Sequence, residues 1–270
     1  MWDATAYAAK DNLLRIVDTQ AENLFAMADA PGAWETPTVS TEWEVRDVVG
    51  HLIDVTESYF VGFDAARTGA SVPDALGTRV MQTELDTGAR SFRSQPKDEV
   101  LGRLRADYAK LAAMVGQLGP DEWGALIVPH KYMGPLPAFF YPVFQLMDYA
   151  VHGWDIRQGT RLAHGLDSDA ADMLVPFMFI LWSATSAFPA DAEPCEIGVR
   201  VVGGHNGGSW RVQAGSGGIT YEQGAVDGLP AVLEFDPGSF VLTAFGRCNA
   251  GTVRGDMAVA DRYLNLFFRI

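Results

Sequence analysis

The chain is poor in cysteine, in basic residues and in long apolar runs. Its 270 residues include two cysteines, Cys195 and Cys248, and neither belongs to a Cys-x-x-Cys pair. This spacing excludes a disulfide framework and a thiolate zinc site. Isolated cysteines of this kind are typical of small core residues, and a reactive thiol is the alternative.

Basic residues are outnumbered by acidic ones, 20 against 34, and the formal net charge is −14. Affinity for nucleic acid comes largely from Lys and Arg that neutralise phosphates, so we expect no nucleic-acid partner, and anionic membranes would repel the chain. The most apolar run, 173–182, is much shorter than the roughly 20 residues of a membrane span and contains Pro176, which predicts a buried helix. The start, Met-Trp-Asp-Ala-Thr, lacks the basic and apolar regions of a secretory signal, and we expect a cytoplasmic protein.

Apolar residues recur at helical spacing through the first two-thirds of the chain. The pattern predicts four long amphipathic helices: 4–28, a second that starts near Glu42 and runs beyond 55, 98–118, and a fourth from Ala138 or Pro142 to Gln158. Thr41 and Glu44 have the spacing of a capping box, which places the start of the second helix. Pro142 is expected in a first turn, because an interior proline would remove a backbone hydrogen bond. Four such helices favour a four-helix bundle.

The last third of the chain changes to short β-rich segments separated by glycine pairs. A fifth helix, 167–186, capped by Asp167 or Ser168, is expected to link the two halves. The segments predict strands at 196–202, 209–213, 219–223 and 231–235, and helices at 238–245 and 257–268. The spacing favours a small antiparallel sheet. We therefore predict an α+β protein of two domains, a helical bundle over 1–165 and a linking helix with a small α+β domain over 166–270.

His51 lies in one predicted helix, and Asp148 and His152 lie in another. Asp148 and His152 are four residues apart and project from one helical face, as two ligands of the same ion require. With a histidine from another helix they form a 2-His-1-carboxylate set, which leaves a coordination position free and is typical of catalytic metal sites. The alternative is a hydrogen-bonded i,i+4 pair, since this spacing is common in helices.

The residues around these histidines form two extended motifs. One is Thr-Glu-Trp-Glu-Val-Arg-Asp-Val-Val-Gly-His-Leu at 41–52, and the other is Asp-Tyr-Ala-Val-His-Gly-Trp-Asp-Ile at 148–156. They resemble the W-x-V-x-D-V-V-x-H-L and E-x-x-V-H-x-x-D-L motifs of the mycothiol-dependent maleylpyruvate isomerase family, a branch of the DinB-like helical bundles. Residues 246–256 resemble that family's sterol-carrier-like C-terminal domain. The resemblance covers nearly the whole chain and implies a DinB-like four-helix bundle followed by a sterol-carrier-like α+β domain.

In that family two histidines and a glutamate bind a divalent metal, usually taken as zinc, which activates the thiol of mycothiol. The resemblance implies His51, Asp148 and His152 as metal ligands, with zinc and mycothiol, or a similar low-molecular-weight thiol, as cofactors. Asp148 replaces the usual glutamate and is one methylene shorter. The helix must therefore sit closer, a water must intervene, or the metal and the activity have changed. Iron and nickel suit the same ligands.

Three further residues are candidates for functional roles. Asp47 and Asp155 lie one turn from the histidines and are candidates for orienting their free ring nitrogens. The alternative for Asp47 is a structural role, in which the helix dipole stabilises its carboxylate. The alternative for Asp155 is a surface pair in the neighbourhood of Arg157. The resemblance implies that Arg247 binds an anionic substrate or the thiol cofactor, and the alternative is a cap on the preceding helix.

Other aromatic residues and histidines carry weaker signals. Tyr59, Tyr132 and Tyr141 are candidates for lining a pocket, although aromatic residues at helical spacing usually belong to the core. The remaining histidines have no partner at ligand spacing and are expected to be solvated in loops or turns; they are His130, His164 and His205.

The resemblance implies a metal-dependent, thiol-using isomerase or S-transferase that acts on a small electrophilic metabolite. A metal-bound thiolate would add to an activated double bond, and rotation followed by elimination would change the alkene geometry. Expulsion of another group would instead transfer the thiol. Two alternatives stay open: a non-catalytic protein that holds a small molecule or lipid in its sterol-carrier-like half, and a thiol-independent metal enzyme of the same fold in a biosynthetic pathway.

Overall fold

The computed structural model describes residues 2–40, 42–159, 165–188 and 193–268. The chain folds as two compact units, Met1–Gly165 and Leu166–Ile270. We call the first the helical unit and the second the sheet unit. A metal-binding role for the first and a sterol-carrier-like role for the second stay predictions.

The helical unit consists of α-helices and one antiparallel hairpin. The helices are α1 (Lys10–Asp29), α2 (Val45–Thr68), α3 (Met81–Arg90), α4 (Lys97–Gly116), α5 (Pro120–Ala125) and α6 (Phe140–Gly159), and the hairpin strands are β1 (Ile127–His130) and β2 (Gly134–Pro137). Helices α1, α2, α4 and α6 have 20 residues or more and correspond to the four predicted helices. Helix α1 packs on α6 and α2 packs on α4, so their apolar stripes face one another.

Aromatic rings connect three of these long helices in the core. Phe25 of α1, Tyr108 of α4 and Tyr149 of α6 meet edge to face, with ring centroids 5.6 to 5.9 Å apart. Each such pair adds about 0.5–1.5 kcal/mol to the stabilisation that burial provides. This contact fixes the position of α6, the helix that carries Asp148 and His152.

The start of α2 differs from the prediction. The helix begins at Val45 rather than near Glu42, and Thr41, the first member of the predicted capping box, lies outside the described residues. Glu44 is the N-cap, and it forms a capping box with Asp47, whose Oδ2 accepts a hydrogen bond from the Glu44 backbone N–H at 2.8 Å. In α6 the prediction holds, since Pro142 is the third residue of the helix.

A glycine allows α3 to approach α2 closely. A Cβ atom on Gly50 would lie 2.2 Å from the carbonyl oxygen of Ala89, which is far closer than atoms can pack. Gly50 immediately precedes His51. The packing of α3 therefore depends on a missing side chain at this position.

The sheet unit begins with α7 (Ser168–Thr185), which Asp167 caps by accepting from the Ala170 backbone N–H at 2.9 Å. Its strands are β3 (Cys195–Val201), β4 (Gly208–Gly215), β5 (Gly218–Gln223), β6 (Ala231–Phe235) and β7 (Thr252–Gly255), and its other helices are α8 (Pro237–Ala244) and α9 (Met257–Leu264). The strand order is β5-β4-β3-β6-β7.

The sheet is mixed, so the prediction of an antiparallel sheet is wrong for one pairing. Strands β3 and β6 run parallel, whereas the other pairs are antiparallel. Parallel neighbours need a long connection, and here β4 and β5 form part of it. The predicted α+β fold, with a DinB-like helical part followed by a sheet part, is confirmed. No helix in the described part of the chain is long and apolar enough to cross a membrane.

Candidate metal site

The three residues predicted as metal ligands lie together between α2 and α6. One ligand atom from each of His51, Asp148 and His152 can be chosen so that all lie within 4.8 Å of one another. Nε2 of His51 is 3.7 Å from Oδ1 of Asp148, and the two imidazole rings are 5.0 Å apart. Both histidines are buried, whereas the Asp148 side chain is 20% exposed. The cluster therefore has one side that solvent can reach.

The chemistry and spacing of this cluster fit a divalent cation. Two nitrogens and a carboxylate oxygen suit zinc, iron or nickel. Ligands of one tetrahedral zinc ion lie about 3.4 Å apart when each bond is about 2.1 Å long. The 3.7 Å between Nε2 of His51 and Oδ1 of Asp148 is close to this value, and the three ligand atoms lie within 4.8 Å of one another. The aspartate therefore reaches the histidines without the extra methylene of a glutamate.

Asp155 holds the ring of His152. Its Oδ2 lies 2.9 Å from Nδ1 of His152, and Asp155 is completely buried. This contact assigns the imidazole proton to Nδ1, so Nε2 carries the lone pair that a metal ion would need. The burial of Asp155 excludes the alternative of a surface pair.

Asp47 does not orient His51, and this prediction is wrong. Its two carboxylate oxygens instead accept hydrogen bonds from Nε and Nη2 of Arg93, both at 2.7 Å. The reason is its place in the first turn of α2, where side chains lean back toward the helix N-terminus. Nδ1 of His51 is buried and has no hydrogen-bond partner among the described residues.

The Asp47 carboxylate stays ionised although it is completely buried. Burial acts to raise its pKa, but the hydrogen bonds from Arg93 and from the Glu44 backbone outweigh burial and hold the pKa below its ordinary value. Asp47 therefore anchors the segment after α3 to the start of the helix that carries His51.

Trp43 covers both histidines and was not singled out from the sequence. Its ring lies 5.2 Å from that of His51 and 5.8 Å from that of His152, and its Nε1 donates to Asp86 of α3 at 2.8 Å. Its place in the motif at 41–52 was the available signal. The indole restricts water on this side of the cluster.

His130 is buried, so the prediction of a solvated histidine is wrong. It ends β1, is 9% exposed, and its Nδ1 accepts from the backbone N–H groups of Tyr132 and Met133, both at 3.2 Å. Burial lowers the pKa of His130 to about 4, which the charge of Asp148 only partly opposes. His205 is exposed as predicted, and His164 lies outside the described residues.

The three tyrosines proposed as pocket residues are all buried. The hydroxyl of Tyr141 donates to the Val128 carbonyl at 3.0 Å, which assigns Tyr141 to the core. The Tyr132 hydroxyl is sealed from solvent. Burial and the nearby Asp148 raise the pKa of Tyr59 well above its ordinary value, so this phenol keeps its proton.

Arg247 lies in the sheet unit, three residues after the end of α8. Its backbone N–H donates to the Leu242 carbonyl at 2.9 Å, and its Nη1 donates to the Phe245 carbonyl at 3.3 Å. These contacts are those of a helix cap, the alternative for this residue. A role for Arg247 in binding substrate or thiol stays a prediction. Cys195 and Cys248 are half-buried, and because burial raises both pKa values, neither is an activated thiolate.

A DinB-like helical unit that carries a 2-His-1-carboxylate cluster, followed by a mixed-sheet unit, defines the class of protein. The sequence profile of the mycothiol maleylpyruvate isomerase N-terminal domain matches residues 14–157, more than half of the chain. The chain belongs to this family, and the predicted family is confirmed. Among proteins with curated annotation, none matches the sequence.

Solved structures agree with this assignment. Two crystal structures of the mycothiol-dependent maleylpyruvate isomerase, one of them a histidine-to-alanine mutant, match with a TM-score of 0.61 and 13% identity over 92% of this chain and 94% of theirs. At this identity the similarity establishes the fold alone. The colibactin self-resistance protein ClbS, solved with double-stranded DNA, matches 57% of the chain with a TM-score of 0.49 and 14% identity, which is too weak to support an inference.

Proposed function

We propose that the protein is a metal-dependent enzyme that uses mycothiol or a similar low-molecular-weight thiol to isomerise a small electrophilic metabolite or to transfer the thiol to it. The observation that carries this proposal is the convergence of His51, Asp148 and His152 with Asp155 behind His152. Membership of the family supports a thiol-dependent isomerase, while the low identity to the solved isomerase leaves the substrate open.

The ligands of the metal would be Nε2 of His51, the carboxylate of Asp148 and Nε2 of His152. A divalent cation bound there would lower the pKa of a coordinated thiol, so that the nucleophilic thiolate is present at neutral pH. Zinc is the favoured ion, and iron or nickel would suit the same ligands.

The surrounding side chains would prepare this site. Asp155 accepts a hydrogen bond from Nδ1–H of His152, so Nε2 is the nitrogen that would ligate the metal. Trp43, which Asp86 fixes through its indole N–H, shields the two histidines from water. Thiol and substrate would therefore approach from the side of Asp148, where the cluster is partly exposed.

The first test is the metal content of protein purified without a metal-affinity tag. We expect about one equivalent of divalent metal in the wild type and its loss in His152→Ala, since two remaining ligands bind a cation weakly. His205→Ala, which changes an exposed histidine of the sheet unit, is the matched control and should keep the metal. Circular dichroism checks that each variant is folded.

The second test is turnover of maleylpyruvate and related electrophiles with mycothiol as the thiol. Turnover that requires both the thiol and the metal supports the proposal. A folded wild type that holds no metal after reconstitution contradicts it and favours a non-catalytic binding protein. A stoichiometric metal without thiol-dependent turnover favours a thiol-independent metal enzyme.

A further inference from the structure

Tyr59 of α2 and His130 of β1 lie together in an aromatic cluster of the helical unit. Their rings are 5.9 Å apart, and both also contact Tyr141 and Phe144. The charge of Asp148 acts on both groups, because it adds to the effect of burial on the pKa of Tyr59 and opposes that effect for His130. Phe144, which both rings contact, lies one turn before Asp148 on α6, so the pair lies near the partly exposed carboxylate of the candidate metal site.

The hydrogen bonds of His130 determine which nitrogen carries its proton. Nδ1 accepts from two backbone N–H groups, those of Tyr132 and Met133. A nitrogen that accepts hydrogen bonds has no proton of its own, so the neutral ring carries its proton on Nε2. His130 is therefore a fixed neutral donor at neutral pH, and its orientation is set by the hairpin.

The donor atoms of both residues are free. Across the described ranges, no hydrogen bond reaches Nε2 of His130 or the hydroxyl of Tyr59, and neither atom is among those sealed from solvent. The residues are 9% and 4% exposed. The hydroxyls of Tyr132 and Tyr149, by contrast, are sealed. The Tyr59 hydroxyl and the His130 Nε2 are therefore donors of this cluster that keep contact with solvent, whereas the two neighbouring hydroxyls do not.

We propose that the hydroxyl of Tyr59 and the Nε2–H of His130 form an oxyanion-binding subsite beside Asp148, which binds the carbonyl oxygen of an α,β-unsaturated carbonyl substrate. Donors aimed at an oxygen that becomes negatively charged are a principal source of catalysis in such reactions. The role in turnover rests on the proposed function, whereas the binding of an oxyanion does not.

The electron movements of thiol-dependent isomerisation place charge on that oxygen. When a thiolate adds to the β-carbon, a C–S bond forms and the π pair of the C=C bond moves through the α-carbon to the carbonyl oxygen, which becomes an enolate oxygen. Rotation follows about the former double bond. The enolate pair then restores the C=C bond, the C–S bond breaks and the thiolate leaves. No oxidant is needed and no proton is lost, so two neutral donors suffice.

Two conservative substitutions remove the donors with little other change. Tyr59→Phe keeps the ring and removes the hydroxyl. His130→Asn removes the Nε2–H, while the Asn Oδ1 can still accept from the backbone N–H groups that Nδ1 serves. Tyr149→Phe removes a sealed hydroxyl from the same unit and is the matched control.

Oxalate, a planar dianion that resembles the enolate of a 2-oxo acid, is the probe. We measure its binding by calorimetry to metal-loaded and metal-free protein. Each donor variant should weaken binding by about tenfold to a hundredfold, as expected for loss of one hydrogen bond to a charged group, and Tyr149→Phe should bind as the wild type does. In turnover of maleylpyruvate with mycothiol, each donor variant should lower kcat by about a hundredfold with little change in KM.

Wild-type affinity for oxalate in a folded Tyr59→Phe or His130→Asn variant overturns the inference, and so does a wild type that binds no oxalate in either state. If a variant does not fold, the wild type still decides: the ¹⁵N resonance of the His130 Nε2–H must move when oxalate is added, and an unchanged resonance refutes the subsite. Failure of the proposed function can be told apart from failure of the subsite. If the protein holds no metal or shows no thiol-dependent turnover, the titration of the metal-free protein with oxalate still tests the subsite.

Discussion

The two units differ in how completely their buried polar side chains are hydrogen-bonded. Among described residues, the helical unit buries nine polar or charged residues and the sheet unit three. In the sheet unit these are Asp172, Thr185 and Thr243, and all have hydrogen bonds to the backbone. In the helical unit Nδ1 of His51 and Oε1 of Gln145 are buried without a partner in the part of the chain that the structure describes.

This difference supports the proposed site in the helical unit. A buried polar atom without a hydrogen bond costs about 1–3 kcal/mol, so a fold has no reason of its own to retain it. The sheet unit uses its buried polar groups to hold turns and helix ends. The helical unit has, in addition to paired groups such as Asp47, buried polar atoms without a partner among the described residues, and the experiments below test whether some of them serve a ligand.

The largest effect is expected from the buried imidazole of His130. Its pKa is about 4 in the folded protein and about 6.5 when unfolded, so between these values only the unfolded state binds the proton. The free energy of unfolding should therefore be unaffected above pH 6.5 and should fall by about 3 kcal/mol on going down to pH 4.

Urea unfolding at pH 7 and pH 4 measures this change, and the difference between wild type and His130→Asn isolates the contribution of the histidine. The same substitution at His205, which is exposed in the sheet unit, is the control for replacing a histidine outside the helical unit. Equal pH dependence in His130→Asn and wild type would show that the imidazole is not buried as described.

A slightly smaller effect is expected at Asp47. Asp47→Asn leaves Arg93 without its ionised partner, and because Arg93 is 34% exposed and can be hydrated, the loss should be about 2–3 kcal/mol, below that of a fully buried pair. The pKa of Asp47 is lowered by folding, so its stabilisation is present above pH 4 and disappears as the pH falls through the folded pKa.

Chemical denaturation at pH 7 and at pH 2–3 checks this prediction. Asp227→Asn, at an exposed ion pair with Arg200 in the sheet unit, is the control and should change stability by less than about 1 kcal/mol. A similar small loss at Asp47 would mean that its pair with Arg93 contributes no more than a surface contact.

Asp155→Asn tests the link between a buried carboxylate and the candidate metal site. Removal of a carboxylate that orients a ligating histidine weakens metal binding by about 10–100-fold. Competition with a chromogenic chelator measures the affinity, and unchanged affinity in the folded variant would assign Asp155 to structure alone.

The smallest effect is expected from Asp172→Ala in the sheet unit. Asp172 accepts from the backbone N–H groups of His205 and Asn206 at 2.8 and 2.9 Å, so its loss should cost about 1–2 kcal/mol. Thermal unfolding measures this cost, and metal affinity should stay at the wild-type value. A change in metal affinity would contradict the separation of roles between the units.

Long helices could be predicted because their signal is local. The predicted helix 167–186 differs from α7, Ser168–Thr185, by one residue at each end. The hairpin β1–β2 was missed, since Pro129, Pro135 and Pro137 within it hide the strand pattern. The parallel pairing of β3 with β6 depends on which distant strands become neighbours, and no local pattern of residues records that.

The candidate site shows the same limit. His51, Asp148 and His152 could be grouped because two of them share a helical face and all belong to motifs of the family. The burial of His130 could not be predicted, because Pro-His-Lys reads as a turn and its contacts, Tyr59 and Phe144, come from distant parts of the chain. Asp47 could not be resolved, since Arg93 lies 46 residues away.

Gly50 has a consequence for the indole above the histidines. Helix α3 lies against α2 only because residue 50 has no side chain, and α3 carries Asp86, which holds Trp43 in place. A methyl group added at residue 50 would push α3 outward and lift the indole with it. The position of the indole beside the two imidazoles thus depends on the absence of a side chain at the residue that precedes His51.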